Sequence, residues 1–196
     1  MVIGWDISTS AIGICVKEDD GKTVEFSVIF PKGDTHLKKH ADAVVKVNQF
    51  IEKYKDKKLF HFVEDRLGGF TGGLTTKQTL MALASMNAVI SLTLSYTGEI
   101  THIPPVTTKR IMELKVEKGE DKKLIVVKLA KLNEPLFPYS ETKNGNYVKG
   151  TDDMADAWLL AEAGRKILAG DATIGSKQKT PSNKTKAGQS KKRIKK

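Results

Sequence analysis

Short apolar runs separated by turn-forming residues occupy the first part of the chain. They predict three strands at about residues 2–7, 11–18 and 23–30, and Gly21 and Lys22 turn the second strand into the third. Because connections this short join neighbouring strands of opposite direction, we expect these three strands to form an antiparallel meander.

Helical periodicity replaces this pattern further along the chain. It predicts a helix at about 35–55, a continuously apolar strand at 59–64, a long helix at 75–97 and a fifth strand at 99–103. The apolar arc of the long helix is wider than one sheet contact needs, which favours a partner subunit against it. Its Ser, Thr and Asn residues favour a buried helix over a membrane span.

Helices dominate the region after the fifth strand, together with a Pro/Gly/Asn-rich stretch at 133–150 that has Asn144–Asn146 at a predicted hairpin tip. The element order predicts an α/β fold: a mixed five-stranded sheet, three antiparallel strands then two parallel, flanked by helices. The helices are predicted, with their caps in parentheses, at about 107–115 (Thr107 or Thr108), 121–132 and 152–169 (Thr151 or Asp152).

Positive charge is concentrated at the C-terminal end of the chain. The 196 residues carry a formal net charge of +10, yet residues 177–196 alone hold nine Lys and Arg residues and no acid. We therefore expect one folded domain over 1–170 and a basic, disordered tail over 171–196. The tail is either an electrostatic arm for nucleic acid or a solubilising extension.

The number of cysteines limits which cross-links and metal sites the chain can form, and it indicates the redox state of the cellular compartment. Cys15 is the single cysteine, which excludes a disulfide framework and a thiolate metal cluster. A reducing, cytoplasmic location is the expectation, in the host cytoplasm if a phage encodes the chain.

Four acids stand out by their positions. Asp6 ends the first strand, Glu64 ends the fourth, and the three-residue spacing of Asp153 and Asp156 places both on one face of the last helix. An ionised carboxylate in so apolar a strand costs several kcal/mol unless it is paired or bound to a metal. If the first and fourth strands are parallel neighbours, the last helix can bring the acids together across one sheet edge. Capping of the helix is the alternative role for Asp152 or Asp153.

An all-carboxylate site selects a hard cation. Oxygen ligands without Cys or paired His favour Mg²⁺, with Mn²⁺ as a substitute, over Zn²⁺. Two such ions per site are a standard means of activating water and stabilising in-line attack on a phosphodiester.

These motifs resemble those of RuvC-type Holliday junction resolvases in the RNase H-like superfamily, especially short, divergent phage members. The resemblance covers most of residues 2–169 and lies in Ile3–Asp6 with Gly13, in Phe62–Glu64 and in Asp153–Ala157. It implies that Asp6, Glu64, Asp153 and Asp156 are catalytic metal ligands, with Asp152 open as an alternative to Asp153.

The resemblance also implies a substrate and an assembly. A homodimer formed through helix 75–97 would resolve four-way DNA junctions by paired symmetric nicks that leave 5′-phosphate ends. Phe70, in a glycine-rich loop, would be the aromatic that wedges into the junction, unless it folds back on the core. Either Lys122 or Lys123 would be a catalytic lysine, and a solvated charged turn is the alternative. The DNA-binding residues implied in this way are Phe70, Lys109, Arg110, Lys115, Lys118, Lys122 and Lys123.

The chain departs from the resolvase pattern at three places. Ser8–Ser10 stands where bacterial members usually have a Pro-Gly pair, residues 133–150 are longer than the usual connection, and the basic tail is not a hallmark of the family. Two other functions stay open: an RNase H-type or branched-DNA flap nuclease, and a non-catalytic DNA-junction-binding protein. An actin-like or sugar-kinase ATPase, with Gly4–Ser10 as its first phosphate loop, is disfavoured because the sequence has no second Gly-rich phosphate motif and is too short for the two domains that those proteins need.

Overall fold

One five-stranded mixed sheet forms the centre of the computed structural model, which describes residues 1–65, 76–117 and 119–175. The strand order is β3-β2-β1-β4-β5. The pairs β1–β2 and β2–β3 are antiparallel, whereas β1–β4 and β4–β5 are parallel, which confirms the predicted architecture. The strands are β1 (Val2–Ile7), β2 (Ile12–Lys17), β3 (Thr23–Ile29), β4 (Phe60–Glu64) and β5 (Glu99–Ile103).

Helices cover both faces of this sheet. Helices α1 and α2 pack on one face, and α5, backed by α4, packs on the other. A single 3-10 turn, Glu52–Tyr54, extends α1. The helices are α1 (His36–Ile51), α2 (Lys77–Ser95), α3 (Pro105–Ile111), α4 (Lys122–Asn133) and α5 (Thr151–Leu168).

The predicted start of α3 and the predicted caps of both α3 and α5 were wrong. Helix α3 begins at Pro105 without a Thr cap and ends at Ile111, because the fixed φ of proline suits the first helical position and Glu113 then turns left-handed at φ 51°. Helix α5 has neither a Thr151 nor an Asp152 cap. Gly150, at φ 93°, precedes the helix and no side chain caps it, while Thr151 is fully buried inside the first turn.

The predicted hairpin between α4 and α5 is present. Glu141 and Tyr147 form an antiparallel bridge, and the Thr142 amide donates to the Asn146 carbonyl at 2.6 Å. Gly145 adopts φ 76° at the tip, a conformation that glycine accepts without a Cβ penalty.

Glycines let α5 approach the sheet at backbone distance. A Cβ added to Gly4 would lie 2.1 Å from the Ala157 carbonyl oxygen, and one added to Gly13 would lie 2.0 Å from the Asp153 carbonyl oxygen. Both glycines therefore face α5. Because side chains alternate along a strand, Asp6, two residues after Gly4, faces α5 as well.

Helix α2 has a buried side and an apolar side that this monomer leaves exposed. Met86, Ile90 and Leu94 are fully buried, whereas Met81 and Leu92 are 64% and 60% exposed.

Among the described helices, α2 is the one long and apolar enough to cross a membrane by length and composition, with 33% of its most apolar window buried. A single helix of this kind is weak evidence for a span, since the core helix of a globular protein passes the same test.

The face covered by α1 and α2 contains a buried histidine whose two ring nitrogens both have hydrogen-bond partners. Trp5 Nε1 donates to His61 Nδ1 at 3.1 Å, and His61 Nε2 pairs with Thr97 Oγ1 at 3.1 Å. Burial lowers the pKa of His61 to about 4, so the ring is neutral at physiological pH. On the opposite face Cys15 is fully buried, and burial raises the pKa of its thiol well above the ordinary range.

Candidate active site

Two strand ends bring the first pair of predicted acids to one edge of the sheet. Trp5 lies opposite Val63 in the parallel pair β1–β4, so Asp6 and Glu64 are the next residues of adjacent strands. Asp6 is buried and Glu64 is half-buried. Asn87 of α2 donates to the Glu64 carbonyl oxygen at 3.2 Å, which fixes the end of β4. Sequence reasoning did not predict this contact.

Helix α5 brings the second pair of acids to the same edge. Gly13 lies opposite Asp6 in the sheet and directly beneath the Asp153 carbonyl, so the first turns of α5 pass over the end of β1. Asp153 and Asp156 are both half-buried there. The helix dipole favours Asp153, which lies in the first turn, and partly offsets the cost of its burial; Asp156 lies one turn further along the helix.

Mutual repulsion among the acids is visible in their pKa values. Burial, followed by the charge of Asp6 and to a smaller extent of Glu64, raises the pKa of Asp156 to about 7. Burial, followed by the charges of Asp152 and Asp6, raises the pKa of Asp153 to about 6. The structure therefore places these carboxylates within electrostatic range of one another, in an environment that disfavours their ionised forms.

The two adjacent lysines at the start of α4 have different partners. Lys123 Nζ lies 2.5 Å from Asp152 Oδ2, and this hydrogen bond raises the pKa of Lys123 above its ordinary value. Lys122 is half-buried, and its charge lowers the pKa of Asp156 more than the charge of Lys123 does. The side chain of Asp152 is thus held by Lys123, whereas Asp153 is coupled to Asp6.

The remaining predicted DNA-binding residues are scattered. Lys109 is half-buried in α3 and Lys115 is exposed in the turn after it. Arg110 donates to the carbonyl oxygens of Thr173 and Gly175, at 2.6 and 3.4 Å, and so holds the described C-terminal segment against α3. The predicted residues Phe70 and Lys118 lie outside the described residues, as does most of the predicted tail.

The carboxylates suit a divalent cation in chemistry and in electrostatics. In the described part of the chain, no three His, Cys, Asp or Glu side chains are close enough together to enclose an ion. The donors are nonetheless all carboxylate oxygens, the set that Mg²⁺ and Mn²⁺ prefer. A cation would also relieve the repulsion that raises the pKa values of Asp153 and Asp156.

A second buried charge group lies further along α5, and sequence reasoning missed it. Lys17 is fully buried and binds both Glu134 and Glu162, the latter at 2.7 Å. Glu134 also accepts hydrogen bonds from Thr23 at 2.6 Å and from Trp158 at 2.7 Å. A lysine inside the apolar second strand was the available signal, because a buried ammonium requires acidic partners.

Comparison with known proteins gives the fold. No protein-family model matches the chain, and no curated protein matches its sequence. Among solved structures, the chain is similar to Thermus thermophilus RuvC in complex with a Holliday junction substrate, with a TM-score of 0.60 and 14% identity over 87% of this chain and 96% of that chain.

Two further structures agree with this match. A second Thermus thermophilus RuvC structure gives a TM-score of 0.55 and 13% identity over 87% of this chain and 97% of that one. The yeast mitochondrial Holliday junction resolvase gives a TM-score of 0.51 and 17% identity over 86% of this chain and 78% of that one. This chain therefore has a RuvC-like fold of the RNase H-like class.

Proposed function

We propose that this protein is a divalent-metal-dependent DNA endonuclease that resolves four-way junctions by paired symmetric nicks. The observation that carries the proposal is the placement of four acids at one edge of a RuvC-like sheet, within electrostatic range of one another: Asp6, Glu64, Asp153 and Asp156. The similarity to structures of Holliday junction resolvases supports branched DNA as the substrate.

The four carboxylates would hold Mg²⁺, or Mn²⁺ in its place. The ions would supply Lewis-acid activation of water and stabilisation of charge on the phosphate during hydrolysis. Asp153 is the better candidate than Asp152 for a ligand, because Asp152 is bound to Lys123 while Asp153 is coupled to Asp6. The elevated pKa values of Asp153 and Asp156 mean that cation binding competes with protons at these carboxylates.

The lysines would have separate roles in this site. Lys122, whose charge acts on Asp156, would meet the scissile phosphate. Lys123 would instead position Asp152 and, through it, the first turn of α5. Lys122→Gln should therefore reduce kcat, while Lys123→Gln should mainly reduce stability.

The proposed dimer would use the exposed apolar side of α2. Met81 and Leu92 lie on that side, and both are more than half exposed in the monomer. Light scattering on the full chain should give the mass of two chains, and Leu92→Glu should give a monomer. Leu132→Glu, at an 83% exposed position of α4, is the matched control and should leave the mass unchanged.

The test of activity compares three labelled substrates: a four-way junction, a linear duplex of the same sequence and an RNA–DNA hybrid. Wild type with Mg²⁺ should nick the junction at symmetric positions, and EDTA or Asp6→Asn should remove the nicks. Asp171→Asn, an exposed acid beyond the end of α5, is the control and should cut normally.

Each other result assigns a different function. Cutting confined to the hybrid would place the protein with RNase H-type enzymes, and cutting confined to a flap or Y-fork added to the panel would indicate a flap nuclease. Tight junction binding without cutting in Mg²⁺ or Mn²⁺ would leave a non-catalytic junction-binding protein.

A further inference from the structure

The hairpin between α4 and α5 leads directly into the acidic first turn of α5. The bridge between Glu141 and Tyr147 closes it, and the Val148 amide donates to the Ser140 carbonyl at 3.1 Å. Tyr147 therefore has a fixed backbone position five residues before Asp152.

The base of the hairpin packs on a row of residues that lie opposite one another across β3, β2 and β1, and this row includes Asp6. Val28 of β3 lies opposite Gly13, and Gly13 lies opposite Asp6. A Cβ on Gly150 would lie 3.0 Å from both Phe30 and Val28, so the segment that follows Tyr147 is in close contact with this row. The hairpin therefore stands beside the carboxylate site on its β3 side.

The Tyr147 side chain combines an anchored ring with an available hydroxyl. The residue is half-buried, and its ring packs against the apolar cluster beneath α5. Its phenol lies within electrostatic range of Asp152, Lys123, Asp121 and Asp156. Within residues 1–65, 76–117 and 119–175, the hydroxyl has no hydrogen-bond partner. Burial, followed by the charge of Asp152, raises its pKa above the ordinary value, so the group stays a neutral donor.

We propose that the Tyr147 hydroxyl donates a hydrogen bond to a backbone phosphate oxygen of the DNA strand held at the carboxylate site. This inference rests on the proposed function, since it takes a DNA strand as the substrate. Tyrosine hydroxyls are common donors to phosphate oxygens, and such contacts fix the register of a strand without reading its sequence. Tyr147 is thus a substrate-positioning residue supplied by the connection in which this chain departs from the resolvase pattern.

A second tyrosine of the same connection provides a matched control. The Tyr139 hydroxyl donates to Glu141 at 2.6 Å, and Lys131 Nζ lies 3.8 Å from the centre of the Tyr139 ring. Its hydroxyl is therefore already engaged within the hairpin. Tyr139→Phe removes the same atom as Tyr147→Phe and should not affect DNA binding.

The experiment measures binding of a fluorescent four-way junction in Ca²⁺, and cleavage in Mg²⁺, by wild type and both variants. Tyr147→Phe should weaken binding by about fivefold, the effect of one hydrogen bond, and raise KM with kcat nearly unchanged. Single methylphosphonate substitutions near the cut site should identify one phosphate whose neutralisation weakens wild type but adds nothing to Tyr147→Phe.

The outcomes separate this inference from the proposed function. The role of Tyr147 would be overturned if Tyr147→Phe bound the junction as tightly as wild type does. It would also be overturned if the effect of every methylphosphonate added to that of Tyr147→Phe. Either result would hold even if the wild-type protein cuts junctions. A wild type that binds but never cuts would overturn the proposed function, while the binding measurements would still decide whether Tyr147 meets a phosphate.

Discussion

Helix α5 carries a buried charge group in each half, and the two groups respond to burial in opposite ways. In the second half, burial alone would lower the pKa of Lys17, but hydrogen bonds to Glu134 and Glu162 raise it. Burial alone would raise the pKa of Glu134, but hydrogen bonds from Lys17, Thr23 and Trp158 lower it. Both partners are therefore stabilised in their charged forms.

The first half of α5 has the reverse arrangement. Asp153 and Asp156 have raised pKa values because they are buried beside Asp6, Asp152 and Glu64, so their charged forms are disfavoured. In the second half of α5 the hydrogen-bonded counterion outweighs the cost of burial. In the first half the charges of Lys122 and Lys123 do not offset burial and repulsion at Asp156, which a cation would relieve. The comparison distinguishes a charge group in which burial is compensated from one in which it is not.

The largest expected effect comes from removing the ammonium of the compensated group, which consists of Lys17, Glu134 and Glu162. Lys17→Met would leave Glu134 and Glu162 buried without their ammonium, and should lower the free energy of unfolding by about 3–5 kcal/mol. Urea denaturation at pH 7 measures this loss. Lys22→Met, at an exposed position nearby, should change stability by less than about 0.5 kcal/mol. Equal losses in the two variants would contradict the structural role of Lys17.

A somewhat smaller effect should follow from separating α5 from the sheet at its acidic half. In Gly13→Ala the new Cβ would overlap the Asp153 carbonyl, so α5 must shift and stability should fall by about 1–3 kcal/mol. Junction cleavage by the folded fraction should fall as well, because Asp153 and Asp156 would move away from Asp6. Gly175→Ala meets no atom within 4 Å and should preserve both properties.

Removing one repelling acid should stabilise the metal-free protein. The folded-state pKa of Asp156, about 7, exceeds its ordinary value of 3.8, so its contribution to stability is present at low pH and is lost as the pH rises through 7. Asp156→Asn should therefore raise the free energy of unfolding at pH 8 in EDTA by about 1–2 kcal/mol. Glu162→Gln should instead lower the free energy of unfolding, because it removes an acidic partner of the buried Lys17. A destabilised Asp156→Asn would show that the acids do not repel one another as inferred.

The smallest effect isolates a neutral buried group on the other face of the sheet. The folded-state pKa of His61 is about 4, below the ordinary 6.5, so its contribution to stability is full above pH 6.5 and declines as the pH falls towards 4. This sign is opposite to that of Asp156. In an Asp153→Asn/Asp156→Asn background, lowering the pH from 7 to 5 should cost about 1 kcal/mol by urea denaturation, and His61→Gln should remove most of that dependence.

Local patterns were sufficient to predict the sheet. Short turns fixed the antiparallel pairs, and a fully apolar fourth strand indicated the parallel neighbours, as the observed order confirms. Helix caps were less predictable. Helix α3 begins at Pro105 and α5 follows Gly150, although nearby Thr and Asp residues offered good caps. A capping pattern compares neighbouring residues as possible helix caps. The position of α5 also depends on its close approach to Gly4 and Gly13, a tertiary contact that no local pattern contains.

The candidate site was predictable in its acids but not in its surroundings. Asp6, Glu64, Asp153 and Asp156 carry a motif, and the structure brings them to one edge. The different partners of Lys122 and Lys123 depend on how α4 packs beside α5, which no spacing encodes. Tyr147 lies in a loop of irregular composition, and its position follows from the contacts of Gly150 with β3.

The burial of Cys15 makes the protein convenient for site-specific labelling. Its single thiol is fully enclosed and resists ionisation, so maleimide reagents should leave the native chain unmodified. A cysteine introduced at the exposed hairpin tip, as in Asn144→Cys, would then carry a fluorophore alone. The emission of that probe could follow the approach of the hairpin to a DNA strand in real time, without first removing a competing native thiol.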